Sequence, residues 1–140
     1  MDILDLTIED VLSYIFSKQC FIAYPQESIY TAAVCLIPAI DVYIDGVIVI
    51  DDNNKPIGRI GSKNILKGYK EHGVRVFDYE IREVMYATND SLKNNSTVRD
   101  VINDIINHGF GFVPVINNEG ILSVVSIYDI LKIILKMPLD

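Results

Sequence analysis

The chain has 140 residues, half of them hydrophobic and 22% charged, which is enough apolar material for one compact domain or two small ones and too much for a disordered chain. Its formal charge of −7 argues against a duplex nucleic-acid binder, which carries a basic face. It also leaves little positive charge for holding a polyphosphate.

The opening "MDILDLTIED" is acidic where a secretory leader is basic, so a cytoplasmic protein is expected. A helix is predicted over Ile8–Ser17, capped by Thr7 and assigned to the first half of the chain. "CFIAYP" (20 to 25) reads as a short extended piece. A helix then starts at Ser28, and Pro38 is expected to stop or kink it. The apolar run "AAVCLIPAI" within it is too short to cross a bilayer. Cys20 and Cys35 suit a reducing compartment, and Cys35 reads as a small buried hydrophobe. The sequence holds no metal-ligand cluster.

Val47–Ile50 is a predicted strand, Asp51–Asn54 a hairpin turn, and Ile57–Ile60 the returning strand. A helix opens at "NILK" and ends at Gly73. Residues 74–84 link to a second extended piece at 85–90. Ser96 or Thr97 caps the next helix, whose apolar stripe is Val98, Val101, Ile102, Ile105 and Ile106. After Gly109 come a strand at Val113–Ile116, a turn at Asn117–Gly120, a strand at Ile121–Val125 and a final helix opening at "DILK". His72 and His108 each precede a helix-ending glycine, which gives them a place beside the helix carboxyl end rather than in catalysis.

The chain therefore repeats itself. "VIVIDDNNKPIGRIGSKNILK" (47 to 67) aligns with "VPVINNEGILSVVSIYDILK" (113 to 132), the first copy carrying one extra residue in its hairpin. The predicted unit is strand, helix, strand, strand, helix, which makes an α/β (α+β) protein. Its expected division is 1–73 for the first unit, with the amino-terminal helix, and 74–140 for the linker and second unit.

This order resembles a pair of cystathionine-β-synthase (CBS) domains, a Bateman module. The motif of that family is hydrophobic-Pro-Val on the first hairpin strand and Gly-h-h-Thr/Ser-x-x-Asp leading into the last helix. The second copy matches at Pro114, Ser126 and Asp129 and departs at Ser123. The first copy matches at Gly58, but has Ile48 for the proline, Gly61 for the Thr/Ser and Asn64 for the Asp.

Taken alone, Ser126-x-x-Asp129 is a capping box. The resemblance adds another reading: two units related by pseudo-twofold symmetry, with a cleft between them that binds an adenosine compound. It implies that Asp129 holds the two ribose hydroxyls and that Ser126 lies near the first phosphate. A carboxylate facing a diol forms charge-assisted hydrogen bonds that contribute about 1.5–3 kcal/mol each. A free helix amino end also attracts phosphate. Phe112, Val113 and Pro114, with Ala87 and Thr88, are candidate adenine walls, though plain core is an equally ready role for Phe112 and Val113. Tyr128 stands where the first copy has Lys63. This second site therefore lacks a polyphosphate clamp and suits AMP, S-adenosylmethionine or methylthioadenosine better than ATP.

The weaker first site would comprise Asn64, Ser62, Lys63, Arg59 and Ile48. Arg59 either faces a phosphate or reaches solvent at a strand edge. Asp51-Asp52 is the obvious acid pair, but a solvated turn accounts for it. No P-loop or nucleophile–base pair is present, so no enzyme is expected. The last helix carries Ile130, Leu131, Ile133, Ile134, Leu135 and Met137 on more than one stripe. That excess predicts a homodimer through the terminal helices. The expected output is regulation of another protein, with a ligand-free scaffold as the alternative.

Overall fold

The computed structural model describes residues 2–15, 21–42 and 44–136, the side chain of Lys136 excepted. Cys20, the end of the predicted helix at 16–17, and Met137 lie outside these. The chain divides into two compact units, residues 21–90 and residues 1–20 with 91–140.

In the first of these, β1 (Ile22–Ala23) leads into α1 (Ile29–Asp41), followed by β2 (Val47–Ile50), β3 (Pro56–Ile60), α2 (Ser62–His72) and β4 (Tyr86–Ala87). The sheet order is β1-β2-β3-β4, with β1 parallel to β2 and the other pairs antiparallel. Ser28 caps α1 by accepting the Thr31 N–H. Ile29, Ala32, Leu36 and Ala39 form its buried stripe. The helix runs through Pro38 to Asp41, where the proline costs one donor late in the helix and does not end it. Ala23, Ile29, Leu36, Val47, Val49, Ile60, Ile65, Val76 and Ile81 pack as one core.

The second unit has β5 (Leu92–Lys93), α3 (Val98–His108), β6 (Phe112–Ile116), β7 (Leu122–Ser126) and α4 (Ile127–Lys136). Its sheet order is β5-β6-β7, with β5 parallel to β6. Thr97 caps α3 by accepting the Asp100 N–H, and Asp100 Oδ2 accepts the Thr97 N–H in return. Gly109 ends the helix in the left-handed conformation.

The division corrects the expected boundaries in two places. The amino-terminal segment, a 3-10 turn at Glu9–Tyr14, packs with the second hairpin rather than the first. Its Ile8 N–H donates to the Ser96 carbonyl, and the Val98 N–H donates to the Leu6 carbonyl. Ile8 and Val11 join Val98, Val101, Val113, Val125, Ile130 and Ile133 in the core. The stretch from 74 to 90 belongs with the first hairpin, because Val76 and Ile81 fill its core and β4 pairs with β3. Leu92–Lys93, and not 85–90, is the extended piece that precedes α3 in the second copy.

The two hairpins carry the repeat in detail. Asp51 Oδ1 accepts the Asn53 and Lys55 N–H groups, and Asn117 Oδ1 accepts those of Glu119 and Ile121. Asn54 and Gly120 hold the same left-handed corner, at φ 62° and 79°. The extra residue of the first copy is a bulge: Val49 pairs with Gly58 and Ile50 with Pro56, which leaves Ile57 between them. The second hairpin pairs residue for residue from Phe112–Ser126 to Ile116–Leu122.

Candidate functional site

The two helix starts, α2 and α4, carry most of the expected ligand residues, and each is described within its own unit. At α4 the Ser126 N–H donates to Asp129 Oδ2 at 2.9 Å, and the Asp129 N–H donates to Ser126 Oγ at 3.2 Å. This is the reciprocal capping box. Asp129 is 1% exposed, and its Oδ1 lies 3.4 Å from Lys132 Nζ one turn along. The negative charge sits at the positive end of the helix dipole, where it is favoured. The next amide, Ile127 N–H, donates to the Gly111 carbonyl at 2.7 Å.

At α2 a neutral side chain does the same capping work. The Gly61 N–H donates to Asn64 Oδ1 at 2.8 Å, and Asn64 Nδ2 donates to the Val84 carbonyl at 3.2 Å. Asn64 thus has both ends engaged inside the unit. Ser62, half-buried, is held by a residue the sequence reading did not single out. Its N–H donates to Asp45 Oδ1 at 3.1 Å and its hydroxyl to Asp45 Oδ2 at 2.7 Å. Asp45 aligns with Gly111, just ahead of the first hairpin strand. The family motif begins after it, so no motif pointed there.

Strand alternation sorts the candidate walls. Val113 and Val115 belong to the core of their unit, while Phe112 and Pro114 share the opposite face and are also buried. Phe112 meets Phe110 edge to face, with centroids 5.5 Å apart. Tyr128 is half exposed. In the other unit, Ile48 pairs across the hairpin with Arg59, and both are buried. Arg59 does not reach solvent at an edge, since β4 covers β3, and its guanidinium donates to the Asp90 carbonyl at 3.4 Å. Lys63 is exposed. Thr88 belongs to this unit and not to that of Asp129; its hydroxyl accepts the Asp90 N–H and its own N–H donates to the Ile57 carbonyl. Ala87 pairs with Gly58.

On α4, Ile130 and Ile133 are buried in the core, whereas Leu131, Ile134 and Leu135 are exposed. A groove of about 560 Å³ lies beside α1, lined by Tyr30, Val34, Ile37 and Val74 among others, and contains none of the expected ligand residues. Among the described residues no group of three or more His, Cys, Asp or Glu could hold a metal ion, and no helix is long and apolar enough to cross a membrane.

Residues 81–136 match the model of the CBS domain family. An uncharacterized 17.7 kDa protein of Acidianus ambivalens is 25% identical over 95 residues, a match that spans 67% of this chain and 56% of that protein. A CBS-domain-containing protein of Agrobacterium tumefaciens has a crystal structure similar to this chain, with a TM-score of 0.74 at 20% identity over 95% of this chain and 96% of that one. The cytosolic domain of the Mg²⁺ channel MgtE, crystallised in complex with ATP, gives a TM-score of 0.65 at 15% identity over 85% of this chain and 46% of that one. Residues 81–136 therefore belong to the CBS domain family, and the chain, which runs through the same succession of elements once before them, has the fold of a tandem CBS module.

Proposed function

We propose that this chain is a regulatory module that binds an adenosine-containing ligand, such as AMP or S-adenosylmethionine, beside α4. Asp129 takes the ribose diol, Ser126 the adjoining part of the ligand, and the face of Phe112 and Pro114 the base. Occupancy is passed to another protein through a change in packing. The observation that carries this reading is the buried carboxylate of Asp129 at the family's motif position, 1% exposed, with a cap bond to Ser126 and Lys132 one turn along. A carboxylate has about four lone-pair sites, and a diol presents two adjacent donors to match it. That depth also means a ribose reaches the carboxylate only after neighbouring side chains move. The similar MgtE domain holds ATP, which supports an adenine nucleotide as the class to test first. The outer face of α4 is the proposed homodimer contact.

The test is calorimetric titration with AMP, ADP, ATP, S-adenosylmethionine and methylthioadenosine, on wild type and on Asp129→Asn. The substitution keeps a cap acceptor and removes the charge. Saturable binding that falls at least tenfold in the variant is expected.

One observation favours a ligand-free scaffold instead: Asn64 and Asp129 make the same cap bond, so capping alone accounts for both residues. If none of the five compounds binds while α4 variants alter self-association, the scaffold reading replaces the sensor.

A further inference from the structure

Each helix start carries one carboxylate, but at different points: Asp129 caps α4 where α2 has Asn64, and Asp45 holds the first amide of α2 where α4 has the Gly111 carbonyl. In the unit of α4, the first helix amide, Ile127 N–H, goes to a neutral acceptor, the Gly111 carbonyl. In the unit of α2, the corresponding amide of Ser62 goes to the Asp45 carboxylate, which also takes the Ser62 hydroxyl at 2.7 Å. Residues 61–64 offer no other hydroxyl, since Gly61, Lys63 and Asn64 have none. Arg59, three residues before Ser62, is buried and turned to the Asp90 carbonyl, and Lys63 is exposed.

We propose that Asp45 is a specificity determinant that keeps phosphate groups off α2 and restricts the unit of residues 21–90 to nucleosides without phosphate. The inference rests on the nucleoside reading above, carried from α4 to the equivalent helix start of α2. An arriving phosphate would have to displace a carboxylate that satisfies both Ser62 donors, and it would meet that carboxylate's charge at the same place. An uncharged ligand meets neither obstacle. The asymmetry then gives the two units different ligand chemistry although they share one fold.

The experiment compares adenosine and AMP on wild type, Asp45→Asn and Asp45→Ala, by calorimetry and by the ¹⁵N amide signal of Ser62. Asp45→Asn keeps an acceptor for the Ser62 amide and guards against a variant that fails to fold. In both variants AMP binding that moves the Ser62 signal should strengthen at least tenfold, while adenosine stays within twofold. Equal gains for the two ligands, or AMP moving the wild-type Ser62 signal as strongly, would overturn the inference. If no nucleoside binds any of the three proteins, the nucleoside reading falls, and inorganic pyrophosphate then decides about Asp45. A saturable Ser62 shift in the variants but not in wild type sustains it, and no shift in the variants overturns it.

Discussion

Replacing Asp129 separates its two candidate roles, because the chain already contains the control. In Asp129→Ala the Ser126 N–H loses its acceptor in a buried setting. Loss of a cap costs about 1 kcal/mol, and a stranded buried N–H adds about 1–3 kcal/mol. Relief of the buried carboxylate offsets part of this, and the lost attraction to the third-exposed Lys132 is worth at most about 1 kcal/mol. A net loss of about 2 kcal/mol is expected. Asp129→Asn keeps an amide oxygen where Asn64 keeps one for Gly61, at 2.8 Å in the other copy. It forfeits the charge–dipole and lysine terms, about 0.5–1 kcal/mol together. The gap of about 1 kcal/mol or more corresponds to roughly 4–8 °C in a unit of this size. Urea and thermal unfolding of the ligand-free proteins would measure it. Equal destabilisation by the two substitutions would refute the capping account of Asp129, and with it the comparison to Asn64.

Other outcomes follow from single contacts. A Cβ at residue 58 would lie 2.7 Å from Met85 Sδ and 3.0 Å from the Tyr86 carbonyl. Gly58→Ala should therefore cost about 1–3 kcal/mol, and adding Met85→Ala should restore only part of it, since the backbone carbonyl stays in place. Gly120→Asn should be nearly neutral in thermal melting, because Asn54 holds the same left-handed corner, whereas Gly120→Val should cost about 1–2 kcal/mol. Arg59→Ala should lose about 3 kcal/mol in urea unfolding, from the void and the deprived Asp90 carbonyl. A loss below 1 kcal/mol would show that the buried guanidinium is dispensable. The proposed homodimer predicts that Leu131→Glu with Leu135→Glu shifts sedimentation toward monomer and leaves the melting temperature within a few degrees, since both side chains are exposed.

What the sequence made legible was what repeats locally. The hairpins, their Asp51 and Asn117 turns, the caps at Ser28 and Thr97, and the helix-ending glycines at 73 and 109 are each set by a few neighbouring residues. Their twofold recurrence carried the fold. The offset between the copies also located the extra residue in the first hairpin, and the bulge at Ile57 gives it a structural meaning. What failed was partner choice over distance. Tyr86–Ala87 and Leu92–Lys93 are two-residue strands separated by a few positions, and nothing in their composition says which sheet each joins. The amino-terminal segment finds the second hairpin through the backbone of Ser96 and Leu6, and no side-chain pattern announces such bonds.

The candidate site divides along the same line between local and distant pairs. Ser126 and Asp129 stand three residues apart and bond each other, so spacing named the capping pair, while a ligand role is what the family resemblance adds. Asp45 and Ser62 stand far apart in the chain and meet only because the hairpin returns the strand to its own start. A motif defined along the sequence records the first kind of pair and misses the second. The copies differ at the second kind as well as at the Asn64/Asp129 motif position, because Asp45 faces α2 with a charge where Gly111 offers α4 a carbonyl. A repeat constrains the residues that build the fold twice. Positions outside those constraints are free to diverge, and Asp45, outside the shared motif, is one of them.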